Sequence, residues 1–284
     1  MTNLCKTWSA VFLCIALTSM TALPNRAQPA SQPVTPGPGL AGIAHAAIRV
    51  SDLGKSRDFY EKLGFEEAFA MDQGGVPTQS FIKINDRQFI ELYPQREATQ
   101  AIGFMHVCFE ASDLEALNGF YVSENLKPNA VRRAGAGNLL FTMTGPENQN
   151  IEYTQYMPGS KHTNDRGKHL GAHRISEEIV AVGIEMQDPG AAVTYYKEKL
   201  GFAAAQQWEA GQSWLSLPGV PGQRVEIKQQ AQGMLFQLYF SVADLRRTAK
   251  QLKALGMKGE KHQTGISVLD PDGNRIVFVK AKPL

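Results

Sequence analysis

The chain has 284 residues, 43% of them hydrophobic, with 29 Lys+Arg against 27 Asp+Glu and a formal charge of +2. That is apolar material for a packed core, with length for one large domain or two small ones. It excludes a disordered chain and a nucleic-acid binder relying on bulk positive charge, and three cysteines exclude a disulfide framework.

In chain order, residues 1–40 come first and contain no Asp or Glu. Lys6 precedes an apolar run from Trp8 to Leu17, and Thr18 and Ser19 follow it. A basic start, a short apolar run and a polar end describe a secretory signal peptide, with an uncleaved anchor or a misread start codon as the alternative. No apolar run reaches the ~20 residues that span a bilayer. Proline and small residues dominate Pro24 to Gly39, which reads as an extended linker. Residues 1–40 are therefore expected to be a cleaved export signal and linker, placing the protein in the periplasm or outside the cell. Lys6 and Arg26 carry the whole net charge, so the remainder is neutral.

The rest of the chain repeats. Four segments pair a short apolar strand with an Asp-led helix: IAHAAIRVSDL from Ile43, FMHVCFEASDL from Phe104, VAVGIEMQDPG from Val180 and LFQLYFSVADL from Leu235. Asp52, Asp113, Asp188 and Asp244 can each accept the free N–H groups of a first helical turn. Gly64, Gly201 and Gly256 follow the helices as left-handed stops. Further strands are predicted at 80–84 and 88–93, 139–142 and 150–156, 213–217 and 223–228, and 266–269 and 275–280. Each module thus reads β-α-β-β-β, an α+β architecture. Its repeated FYEKLGF and YYKEKLGF helix ends make chance similarity improbable.

The module pattern, the HAAIRVSDL and HVCFEASDL openings and the DPDGN turn resemble the vicinal-oxygen-chelate superfamily over about 43–281. That group includes glyoxalase I, extradiol ring-cleaving dioxygenases and bleomycin-resistance proteins. The resemblance implies that modules pair so that curved sheets enclose a metal-binding cavity.

Four ligand-type residues fall in register. His45 and Glu91 lie in the first and last strands of module 1, and His106 and Glu152 hold the same places in module 2. Both pairs are 46 residues apart, offset by 61. Period-2 alternation puts each on the face of its strand shared with its neighbours two residues away. Imidazole and carboxylate suit a divalent zinc, nickel, iron, manganese or cobalt ion. At the matching places the second half has Ala181, Glu226, Gln237 and Val277, so it is expected to hold no metal. A complete ligand set then requires module 1 to pair with 2 and 3 with 4, or an exchange between chains of a dimer; the first is expected. The expected organisation is a metal-binding domain at 41–157, a connector at 158–177 and a degenerate domain at 178–284, in a monomer or homodimer.

Resemblance to glyoxalase I implies zinc or nickel, with Glu152 as the proton-moving base, Glu91 as the second candidate, and Arg49 at the place of a substrate-holding arginine. A salt bridge from Arg49 to Glu110 is the plainer alternative. Resemblance to extradiol dioxygenases implies iron(II) on His45, His106 and Glu152, leaving Glu91 unexplained; manganese also suits the set. A third reading is a non-catalytic protein that sequesters a small ligand. In each case the partner is a small molecule, not nucleic acid. Cys108 reads as a small core residue. The connector carries His162, His169 and His173 and reads as a solvated linker, with a position across the cavity mouth as the alternative.

Overall fold

Asp52, Asp113, Asp188 and Asp244 each cap a helix, their carboxylates accepting N–H groups two or three residues on. The computed structural model describes residues 37–206, 212–230 and 236–280, so residues 1–36, most of the proposed export segment, lie outside them. Module 1 comprises β1 (Leu40–Val50), α1 (Leu53–Lys62), β2 (Glu66–Gln73), β3 (Val76–Lys83) and β4 (Phe89–Pro94). Module 2 has β5 (Gly103–Ala111), α2 (Leu114–Ser123), β6 (Arg132–Arg133), β7 (Leu139–Thr144) and β8 (Asn150–Gln155). A short helix, α3 (Lys161–Asn164), interrupts the connector. Module 3 has β9 (Ile179–Met186), α4 (Pro189–Glu198), β10 (Ala203–Ala204), β11 (Ser213–Leu217) and β12 (Val220–Gln229). Module 4 has β13 (Gln237–Val242), α5 (Leu245–Ala254), β14 (Glu260–Lys261), β15 (Gly265–Leu269) and β16 (Arg275–Lys280).

Two eight-stranded sheets result. Their orders are β2-β3-β4-β1-β5-β8-β7-β6 and β10-β11-β12-β9-β13-β16-β15-β14. Modules 1 and 2 therefore share one sheet, and modules 3 and 4 the other, joined by antiparallel pairing of their first strands. Each first strand runs parallel to the last strand of its own module. The strand after the helix differs between modules. It has eight residues in module 1 and two in each of the others.

Alternation along β1 separates two environments. Ala46, Ile48 and Val50 enter a hydrophobic core shared with the helices and with residues of both sheets, while His45 and Ala47 face the other side. The halves meet through stacked Phe65 and Phe240 and stacked Phe104 and Phe236. Gln88 bridges them, its Nε2 donating to the Ile43 and Ile179 carbonyls and its Oε1 accepting from Ile179 N–H. Turns before the last strands reach across to helices of the other half. Glu147 accepts the N–H groups of Gln187 and Asp188 ahead of α4, and Asp272 accepts that of Ser51 ahead of α1. Carboxylates at helix N-termini gain from the helix dipole as well as the hydrogen bonds.

The expectation of a solvated connector needs correction. Ser160, His162 and Asp165 are buried. Lys83, at the end of β3 and 1% exposed, sends its ammonium to Asp165 Oδ2 (2.8 Å), the Asp165 carbonyl (2.6 Å) and Asp86 Oδ1 (2.8 Å). All three ammonium protons then have acceptors, the condition for burying this charge. Gly64 also explains the path. It has φ +85°, and a Cβ there would lie 2.6 Å from Arg174 Cα, so the connector crosses directly over the end of α1.

Candidate metal centre

The central strands β4, β1, β5 and β8 bring the candidate ligands together in two adjacent rows. In one, Ala47 lies between Glu91 and His106; in the other, Cys108 lies between His45 and Glu152. A small residue between two long ones on one sheet face leaves space for the long side chains to lean together. Ala47 and Cys108 are thus part of the construction of the site.

His45 Nε2 lies 3.2 Å from His106 Nε2 and 3.3 Å from Glu152 Oε1. Ligand atoms of His45, His106 and Glu152 all lie within 4.8 Å of one another; the two histidines are buried and the Glu152 side chain is 13% exposed. Glu91 is nearby but outside this set. Its Oε1 is 3.4 Å from His45 Nδ1, on the other side of the imidazole, and its Oε2 accepts from Tyr93 Oη at 2.9 Å. Gln79 Nε2 donates in turn to Tyr93 Oη. The geometry is that of a ligand histidine whose second nitrogen faces a carboxylate, which fixes ring orientation and raises ligand basicity.

Electrostatics follow from this enclosure. Burial alone would lower the His45 pKa, but Glu91 and Glu152 outweigh it and leave it above the ordinary imidazole value. Burial, reinforced by His45 and only partly opposed by Glu152, lowers His106 to about 4. Burial would raise Glu152, yet its contacts with His45, His106 and Cys108 bring it down to about 2. Burial and the Glu152 charge raise Glu91 against the pull of His45. The donor set fits a divalent cation. It offers two imidazoles and a carboxylate at one point, with a second carboxylate behind, in a place where a positive charge relieves the crowding of acids.

The site opens into a cavity of about 220 Å³, small against the usual ~300–1,000 Å³ of ligand pockets. Its wall includes Tyr93, Arg132, Asn138, Thr154 and His162. Arg132 was not singled out as a site residue by the sequence, and His162 entered only through the alternative of a connector lying across the cavity mouth. Arg132 occupies a two-residue strand without a readable pattern, and His162 lies in an apparent linker. Arg49 does not line this cavity; its Nη1 donates to the Ala101 carbonyl at 3.1 Å. Glu110 pairs with Arg87 at 2.8 Å, in place of the alternative Arg49–Glu110 bridge. Cys108 is fully buried, and burial together with Glu152 and Glu91 holds its thiol protonated.

The second half has the same frame with other contents. Gly183 lies between Glu226 and Gln237, as Ala47 lies between Glu91 and His106. Tyr239 stands at the Cys108 place and Val277 at that of Glu152. Tyr239 Oη reaches Glu226 Oε2 and Gln237 Oε1, both at 2.6 Å, and Trp214 and Val277 pack beside it. Bulky side chains thus fill the counterpart of the metal cavity. Glu226→Gln is expected to leave metal content unchanged, as measured by elemental analysis; a drop would place a ligand in this half.

Similarity to known proteins agrees with this arrangement. The family model for the Glyoxalase/Bleomycin resistance protein/Dioxygenase superfamily matches residues 42–153 and 178–278. Among solved structures, the Mn(II)-bound glyoxalase of Novosphingobium aromaticivorans is similar, with a TM-score of 0.64, 15% identity, and 86% of this chain and 83% of that one covered. An extradiol ring-cleaving dioxygenase of B. fuscum has a TM-score of 0.64 at 18% identity, covering 87% and 73%. The 2,3-dioxygenase LapB of Pseudomonas sp. KL28 has a TM-score of 0.65 at 16% identity, covering 87% and 94%. At these identities the likeness is one of fold. No curated protein matches by sequence. With two family segments spanning most of the chain, each with its own eight-stranded sheet, the protein belongs to the glyoxalase/bleomycin resistance protein/dioxygenase superfamily.

Proposed function

We propose that the protein is a metal-dependent enzyme that binds a small substrate through two adjacent oxygens. The observation that carries this is the convergence of His45, His106 and Glu152 at one point beside a polar cavity lined by His45 and Glu152. A divalent ion held there would supply Lewis acidity to oxygens of the substrate. The protein's own part is to seat a small molecule, exclude bulk water and handle a proton. Glu91 suits the last task better than Glu152. It lines the cavity, stands outside the three-ligand set and has a raised pKa, whereas Glu152 faces both histidines and has a lowered one. Proton transfer of the glyoxalase type, with zinc or nickel, is the reading this favours.

The ligand count itself favours a second reading. Two histidines and one carboxylate with open positions are the ligand set of non-haem iron(II) oxygenases, so ring cleavage of a catechol with iron(II) follows from the same geometry. Paired assays separate the two. Protein loaded with zinc or nickel should isomerise a hemithioacetal under the first reading, and iron(II)-loaded protein should consume oxygen with catechol under the second. Neither reaction with any of these metals would leave the ligand-sequestering reading. The export signal is retained as part of this proposal, together with a role outside the cytoplasm. It is tested by N-terminal sequencing of the protein recovered from cell fractions.

A further inference from the structure

Arg132 lies on β6, and register fixes the face its side chain leaves. Arg132 pairs with Leu140 of β7, and Leu140 pairs with Thr154 of β8. Partners directly opposite one another share a face, and Thr154 is two residues from Glu152 on one strand. Arg132, Leu140 and Thr154 therefore leave the sheet on the side that carries the metal ligands, and all three line the cavity. Arg133, one residue on, alternates to the other face, and its Nη1 donates to the Gly137 carbonyl at 2.7 Å.

Among the described residues, the Arg132 side chain has no hydrogen-bond or ion-pair partner, and the residue is exposed. The two carboxylates of the cavity are engaged elsewhere, Glu152 with His45 and His106, and Glu91 with His45 and Tyr93. Ala134, Gly135 and Ala136 line the cavity next to Arg132 and are too short to reach its guanidinium. The symmetry between modules 1 and 2 breaks at this place. Met71 stands 61 residues earlier and pairs with Gln79 as Arg132 pairs with Leu140. A Cβ on Gly135 would lie 3.3 Å from Met71 Cε, so the two rims of the mouth meet there, one apolar and one cationic. Of the lining side chains only Arg132 carries a fixed positive charge. A divalent ion on the three ligands would offset Glu91 and Glu152, which leaves the Arg132 charge unbalanced in the filled site.

We propose that Arg132 is a specificity-determining residue that receives a carboxylate of the substrate at the cavity mouth. The substrate class is then a small monocarboxylate, with its adjacent oxygen pair at one end and its acid group at the other. A planar guanidinium donates two parallel N–H bonds to the two oxygens of a carboxylate, a pairing that combines charge with direction. Two strand spacings, about 10 Å, separate β6 from β8, a distance that the arginine side chain and a single-ring acid together can span. This inference rests on the metal-site reading above and adds the charge of the substrate.

The test titrates zinc-loaded full-length protein by calorimetry with protocatechuate, a catechol carboxylate, and with its neutral amide. The two probes share the adjacent hydroxyls and differ in charge. Wild type, Arg132→Met and Arg132→Glu are compared, with zinc stoichiometry and thermal midpoint measured on each. The readout is the ratio of the two affinities, because the charge of the metal attracts the acid in every variant. That ratio is expected to favour the acid in the wild type, to fall about tenfold in Arg132→Met and to fall further in Arg132→Glu, while all three retain zinc. An unchanged ratio in Arg132→Met overturns the proposal, as does a wild-type ratio that does not favour the acid. Loss of zinc or a lowered thermal midpoint in Arg132→Met would mark a structural role and overturn it as well. A wild type that takes up no zinc overturns the metal reading and this inference together. One that takes up zinc but neither probe leaves the metal site standing and overturns the carboxylate contact.

Discussion

Replacing His106 with alanine is expected to lower metal affinity by well over about 100-fold, and replacing His45 or Glu152 should do the same. Among the described residues three protein donors converge, so each loss leaves two, and substitution of residues that merely support a ligand already costs about 10–100-fold. Glu91→Gln belongs to that milder class. It keeps the shape beside His45 Nδ1 and removes the charge, so affinity should fall by about 10–100-fold without abolishing binding. Equal losses for Glu91→Gln and His106→Ala would instead make Glu91 a fourth ligand. Isothermal titration with zinc distinguishes the two results.

The same titration has a pH dependence whose sign follows from the site. In the metal-free protein His106, lowered to about 4, is neutral at pH 7, and Glu152, lowered to about 2, is ionised. His45, raised above the ordinary imidazole value by Glu91 and Glu152 against the effect of burial, keeps its proton to higher pH than a free imidazole, and the metal must displace that proton. Affinity should therefore rise about tenfold per pH unit until His45 is deprotonated, then level off, and that rise should continue past pH 6.5. A plateau beginning well below pH 6.5 would contradict the raised His45 pKa.

Lys83→Ala is expected to destabilise the fold by about 3 kcal/mol in urea unfolding. Breaking a buried ion pair by removing one partner costs ~3–5 kcal/mol, because the remaining charge stays buried. The low end applies because Asp86 is 41% exposed and because His169 Nδ1 remains 2.6 Å from Asp165. The double change Lys83→Met with Asp165→Asn should recover much of the loss, since no buried charge is left without a partner. A single-variant loss under about 1 kcal/mol would mean that the clasp does not hold the connector.

Much of this fold was legible because its signals are local. Each capping aspartate follows an apolar strand by a few residues, and four repetitions of that unit specify four modules. The rows of the site were legible because strand alternation and equal spacing place His45, His106 and Glu152 on one face. Alternation says which face a side chain leaves, but not how far it tilts. Glu91 thus shares the face with His45 and yet meets its Nδ1 rather than joining the three-atom convergence. Arg49 likewise shares that face but turns to the Ala101 carbonyl. The docked connector was hidden for a different reason. Its attachment depends on contacts 82 residues apart, between Lys83 and Asp165, and its own sequence is polar. A lysine at the end of the apolar stretch FIKIN was the available sign that a buried acid had to come from elsewhere.

The proposed function depends on one divalent metal held by His45, His106 and Glu152. Titration of chelator-stripped protein with zinc, manganese and iron(II), in the wild type and in Glu152→Ala, tests it most directly. Saturation at one equivalent per chain is expected for the wild type, and no saturable binding for the variant. Stoichiometric binding that survives Glu152→Ala, or a wild type that binds none of the three ions, would contradict it.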